Sequence, residues 1–389
     1  MNRWTNWVEG SALTALVFLS VALVGRLWLS LPSLAYLPTH TAYTPPPPVA
    51  VVEPLPLAIE LIAPKAALEL PSMPGYRRLW VTWASALPAL SGGQPISAAL
   101  ALSAIHQAPA AVAVVWPSQV PFTSRPAVSD LSLIVLTLGN HPVVLWLASG
   151  IWHQQPLSAT VSAEFAARLP QALAAGTPSA AHPLLSAASG SLPAGQVVAA
   201  PVPVDQLVPS FLPLPLSVQA IDEGADGVAY TDGATVLHVE RSGAFQVSFG
   251  SAAPDFFGLS AVSAAESFVS SHPGFTPDLT VSAVTTGGRQ STVSLALTVD
   301  RLVVLGPSAA SVQFAQSSVV SARSAGLGVL VSGVQPFSIA ALTLALSPTL
   351  SRGLVAVVPV EVNDAGRLAV GALVVEASGQ EVLVSGGAG

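Results

Sequence analysis

The sequence predicts an α+β chain: one N-terminal transmembrane helix, then a multidomain extracytoplasmic region, mixed α/β first and β-rich towards the C-terminus. Three observations predict it. An uncharged apolar run fills residues 10–25, a proline-rich stretch follows, and beyond it helical spacing gives way to short strands divided by Asp-Gly and Ser-Gly turns. At 389 residues the chain has room for more than one core. Hydrophobic residues make up 51% and charged residues 8%, which excludes whole-chain disorder. Thirteen basic side chains, scattered and outnumbered by 20 acidic ones, argue against a nucleic-acid partner. With no cysteine there is no disulfide framework, no thiolate metal site and no thiol nucleophile.

Residues 1–9 are expected as a short cytoplasmic tail and 10–31 as the transmembrane helix. From Trp7 to Leu31 the stretch is long enough to span a hydrocarbon core of roughly 30 Å. Trp4, Trp7 and Trp28 sit at its ends, where indoles prefer the interface. Arg26 can snorkel outward. Arg3 before the span balances Arg26 near its far end, so charge does not set the orientation. The alternative is a cleaved signal peptide with core Ala12–Val24 and a small-x-small site at Ser33-Leu34-Ala35. Either way the bulk of the chain is expected outside the cytoplasm, tethered to the cell membrane in the first case. On a helical wheel Ser11, Ala15, Ala22 and Gly25 fall within roughly 80° of arc, a small-residue face that lets a partner helix approach closely.

Residues 32–56 read as a spacer, because Pro45 to Pro48 favour extended polyproline II. Residues 57–195 read as one or more α+β domains. Ala66–Leu70 is a strand. Gly75–Ala89 is a helix with Tyr76, Leu79, Trp80 and Trp83 on one face, and Ile96–Ile105 is a second. Ala110–Trp116 is a buried strand. Leu131–Leu138 and Pro142–Ala148 pair around Gly139-Asn140. Ser162–Ala175 is a helix with Ser162 as its N-cap and Gly176 as its stop. Thr177–Gly195, rich in Ala, Ser, Pro and Gly, reads as a linker or long loop.

Residues 196–258 read as a β-meander segment: Val228–Tyr230, Thr235–Glu240 and Ala244–Phe249, with turns at Asp232-Gly233 and Ser242-Gly243. Residues 259–389 read as a C-terminal β-rich α+β domain. It opens with a helix at Ser260–Ser270. Strands follow at 279–285, 292–299, 311–314, 319–323, 354–362 and 368–376, the last two joined at Gly366.

No catalytic set is legible. The seven histidines form no HExxH or other spaced ligand pattern. His238 and Glu240 echo the His-x-Glu of zinc deaminases, but that site needs cysteines, so the pair reads as one solvated strand face. Asp222, Glu223, Asp226 and Asp232 miss the calcium-loop spacing and read as turns. There is no Gly-x-Ser-x-Gly elbow, no Ser-x-x-Lys and no phosphate-binding loop. A Ser/His/Asp site built by geometry alone stays open. The expectation is a non-enzyme with no cofactor and no metal.

Several segments, in order, resemble the YycH family. Leu16-Val-Phe-Leu-Ser-Val-Ala-Leu followed by Arg26-Leu-Trp28 is similar to its membrane anchor. Val112–Phe122, ending AVVWPSQVPF, resembles its apolar strand with an aromatic and two spaced prolines. Tyr230-Thr231-Asp232-Gly233, followed by Thr235–Glu240 and a strand at Phe245–Phe249, resembles its YTDG hairpin. Val202–Leu216 parallels its lead-in, and Ala265–Gly274 the helix before its last domain. Val299–Gly306 resembles V-x-G-x-P-V-F-G, with Asp300-Arg-Leu-Val in place of the glycine and proline. Val357-Val-Pro-Val360 stands in for a V-P-V-W pattern. The resemblance implies a single-pass membrane protein with an extracytoplasmic body. It implies action with a YycI-like companion on a WalK-like sensor histidine kinase of a Gram-positive two-component system that controls cell-wall metabolism. A secreted or surface-anchored binding module and a stalked envelope hydrolase are the competing readings.

Overall fold

A computed structural model describes Ser20 and residues 55–385, apart from 63–66, 74, 91, 123–127, 129, 169–188, 213–217, 251–253, 276–277, 339–353 and 377–380. The expected membrane segment, with Ser11, Ala15, Ala22 and Gly25, lies outside the described residues except for Ser20, which is helical and exposed. Among the described residues no helix is long and apolar enough to cross a membrane.

The first part of the chain forms β1 (Ala58–Ile62), β2 (Ala67–Glu69), α1 (Tyr76–Ala86), β3 (Gln94–Ile96), α2 (Ala98–Gln107), β4 (Ala110–Val115), β5 (Leu131–Leu138), β6 (Val143–Ala148), β7 (Ile151–Pro156) and α3 (Ala159–Arg168). The seven strands make one antiparallel sheet in the order β2-β1-β4-β5-β6-β7-β3. Every residue of β5 is buried, because both faces of the sheet are covered. Ile134, Leu136 and Leu138 share a cluster with Tyr76, Leu79 and Trp83 of α1 and Phe165 of α3. Leu133 and Val135, pointing the other way, share one with Ala101 and Ile105 of α2. Covering both faces turns the usual period-2 alternation into a continuous apolar run.

The rest forms β8 (Ser189–Ala199), α4 (Val204–Phe211), β9 (Gln219–Asp222), β10 (Val228–Thr231), β11 (Thr235–Val239), β12 (Phe245–Phe249), α5 (Ala261–Ser271), β13 (Leu279–Gly287), β14 (Gln290–Val299), β15 (Leu302–Leu305), β16 (Ala310–Ala315), β17 (Ser318–Ser324), β18 (Leu327–Ser338), β19 (Leu354–Asp364), β20 (Arg367–Glu376) and β21 (Glu381–Ser385). They join in a second sheet, β18-β8-β20-β19-β15-β14-β16-β17-β12-β11-β10-β9, with β13 on β14 and β21 on β20. Its two halves meet at a parallel step, where β15 pairs β19 only at Val304↔Glu361 and Leu305↔Val362. Helices α4 and α5 cover the half that holds the meander. Phe268 is fully buried there, among Phe211, Phe249, Phe256 and Phe275.

Two expectations need correction. Ser162 is not an N-cap: its amide already donates to Ser158 O at 2.9 Å, so α3 starts earlier. Ser158 and Ser162 carry the same capping chemistry one turn apart, and periodicity cannot choose between them. Thr177–Gly195 is not all linker, because 189–195 belong to β8, which pairs along its whole length with β18. Its glycines and prolines read locally as loop, but Gly195 lies where a Cβ would fall on Leu330 O, a close approach that only glycine permits. The boundary drawn at 195/196 thus falls inside one strand.

Candidate functional site

Two places combine polar groups with a defined geometry. The first is the Tyr230–Gly233 turn. Thr231 Oγ1 donates to Thr235 O at 2.8 Å and accepts from Gly233 N at 3.0 Å. Asp232 Oδ1 accepts from Ala234 N at 2.9 Å and from Thr235 N at 2.8 Å. Gly233 sits at φ +89°, which a side chain would strain. The turn thus spends these polar groups on its own backbone, and its chemistry is to fix the β10–β11 register.

The second is a cavity of about 420 Å³ where the two halves of the second sheet separate. Leu55–Leu57 and Pro71 approach from the first sheet, Asp278–Thr280 from the start of β13, Thr298 and Asp300–Val303 from the β14–β15 hairpin, and Pro359–Glu361 from β19. That hairpin is closed by Asp300 and Arg301, at φ +48° and +69°. Both lie in the left-handed region that two-residue hairpins demand and that glycine enters most cheaply. They fall in the stretch that replaces the family pattern's glycine.

Glu361 lies in the β19 part of the wall. It is 0% exposed, and neither carboxylate oxygen has a hydrogen-bond donor. Burial pushes its carboxyl up to about 7. Its strand neighbours are Val304 on β15 and Val370 on β20, neither of which can donate from its side chain. The sequence marks the strand but assigns this acid no role. The available signal was a lone Glu in the run Val-Val-Pro-Val-Glu-Val.

The remaining titratable groups fall elsewhere. His238 Nε2 lies 2.9 Å from Glu223 Oε2, and Glu240 accepts from Ser242 Oγ at 3.0 Å and lies 4.0 Å from Arg323 Nη2. The two side chains of the expected solvated face thus take different partners, Glu223 for His238, and Ser242 and Arg323 for Glu240. Asp222 Oδ1 accepts from Gly224 N at 2.9 Å, as an acid in a turn does. Among the described residues no three His, Asp or Glu side chains gather to hold a metal ion. His272, at the end of α5, stacks 4.7 Å from Phe211 and donates Nδ1–H to Phe268 O at 2.7 Å. Burial lowers its pKa below the usual 6.5, and the hydrogen bond to Phe268 opposes that only in part.

No family model and no curated protein matches the chain. Among solved structures it is similar to the crystal structure of YycH from Bacillus subtilis, with a TM-score of 0.55 and 11% sequence identity over 88% of this chain and 97% of that one. At that identity the likeness is one of fold, and it spans both sheets.

Proposed function

We propose that this chain is a membrane-anchored regulator of a WalK-like sensor histidine kinase, working outside the cytoplasm with a YycI-like companion to adjust cell-wall metabolism. The observation that carries this reading is the fold likeness to YycH along 88% of the chain. The collinear order of the YTDG hairpin, the aromatic-proline segment and the anchor-like N-terminus adds to it. A YycH-like body suggests regulation by contact rather than chemistry. Such a regulator must bind one kinase state better than the other, since equal affinity for both shifts nothing.

The test is reconstitution of the full chain with the sensor kinase of its own organism in nanodiscs, reading autophosphorylation with and without the companion protein. The expected result is a change of several-fold in rate, lost or reduced when Ala15 and Ala22 are both replaced by leucine. An unchanged rate, together with no co-purification from solubilised membranes, overturns the reading. A rate that responds equally to the leucine variant removes the small-residue face alone.

A further inference from the structure

We propose that the cavity at the seam of the second sheet binds a small organic cation with an apolar body, its ammonium group meeting the Glu361 carboxylate. The proposal stands apart from the kinase reading, because it is tested on this chain alone.

Three observations carry it. The volume, about 420 Å³, lies within the roughly 300–1,000 Å³ of small-molecule sites. The wall is largely aliphatic, with Leu57, Leu279 and Leu302 among its side chains, and its charged groups are Asp278, Asp300 and Glu361 against Arg301 alone. That balance favours a cation and disfavours an anion. Glu361 is a fully buried acid with no donor on either oxygen. A buried polar group left unsatisfied in this way is uncommon and calls for a partner. The carboxyl has no accessible area in the ligand-free form, so binding includes a side-chain movement of Glu361 into the adjoining space. An arriving ammonium ion would shift Glu361 to its ionised form and release its proton to solvent.

The probes are n-hexylamine, n-hexanol and n-hexanoate, titrated by calorimetry into the full-length chain in nanodiscs, with empty nanodiscs as the blank. The expected result is saturable binding of one hexylammonium per chain, at least tenfold tighter than hexanol, with hexanoate weakest. E361Q should remove most of the amine's advantage while hexanol binding persists. D300N, at a left-handed turn position that asparagine tolerates, should reduce it by a smaller factor. Equal affinity for amine and alcohol, or an unchanged ratio in E361Q, overturns the proposal. If E361Q does not fold, the wild-type ratio decides: it should rise between pH 5 and pH 8 as Glu361 ionises more readily, and a flat ratio overturns the proposal.

Discussion

At the scale of single residues, buried Glu361 and half-buried His272 give stability opposite pH slopes. Glu361 is raised from 4.5 to about 7 in the fold. The folded state therefore binds its proton more tightly than the unfolded chain does. The stabilisation is complete below about 4.5 and is lost as pH rises through about 7. His272 is lowered from 6.5, so its contribution is present above 6.5 and lost as pH falls through the folded value. Melting curves of wild type and E361Q from pH 5 to pH 8 should therefore diverge, with the variant gaining relative to wild type as pH rises. A constant difference would mean that Glu361 does not titrate in this range. H272F, which cannot charge, should lose part of the wild type's destabilisation below pH 6.5.

At the scale of elements, the meander is the best-specified piece. Residues Leu237 and Val247 face the core from registered positions on β11 and β12, and the Asp232 turn holds the register of β10 on β11. Replacing Asp232 by alanine leaves two backbone amides without their acceptor and should cost about 1 kcal/mol. D232N keeps an Oδ1 and should recover most of it. The check is the midpoint of urea unfolding for the three proteins, and equal midpoints would remove the turn from the account of register. The meander was legible because Asp-Gly and Ser-Gly turns separate strands with clean alternation. By contrast β8 was hidden, since its partner β18 lies more than a hundred residues along the chain and its own composition signals a loop.

At the scale of the whole molecule, the two sheets are tied through the segment after β4. Ser118 Oγ donates to Glu381 Oε2 at 2.8 Å, and Val284 N donates to Gln119 O at 2.8 Å. One apolar cluster also joins Ala113 and Val135 of the first sheet to Val360 and Leu373 of the second. Burial raises the Glu381 carboxyl, and hydrogen bonds from Ser118 and Ser132 pull it part of the way back. A double-mutant cycle of S118A and E381A should therefore give a coupling of about 0.5–1.5 kcal/mol. Additive effects would show that the contact does not help to hold the sheets together.

The sequence by itself determined what short-range physics can encode. Tyr76, Leu79 and Trp83 mark α1 by helical spacing, the apolar run Ala110–Trp116 marks β4 as a buried strand, and Tyr230–Gly233 marks its own turn. The order of such pieces also carried the resemblance to YycH, which the likeness in fold supports at the level of architecture. Only the tertiary structure decided that β8 joins β18, that β15 meets β19 in parallel, and that Glu361 is enclosed beside a cavity at that step. The reason is physical. Periodicity and capping report on neighbours within a turn or a hairpin, and a lone Glu in an apolar run marks an acid on a buried strand, whereas what encloses it depends on strands distant in sequence, whose pairing leaves no local mark on either one.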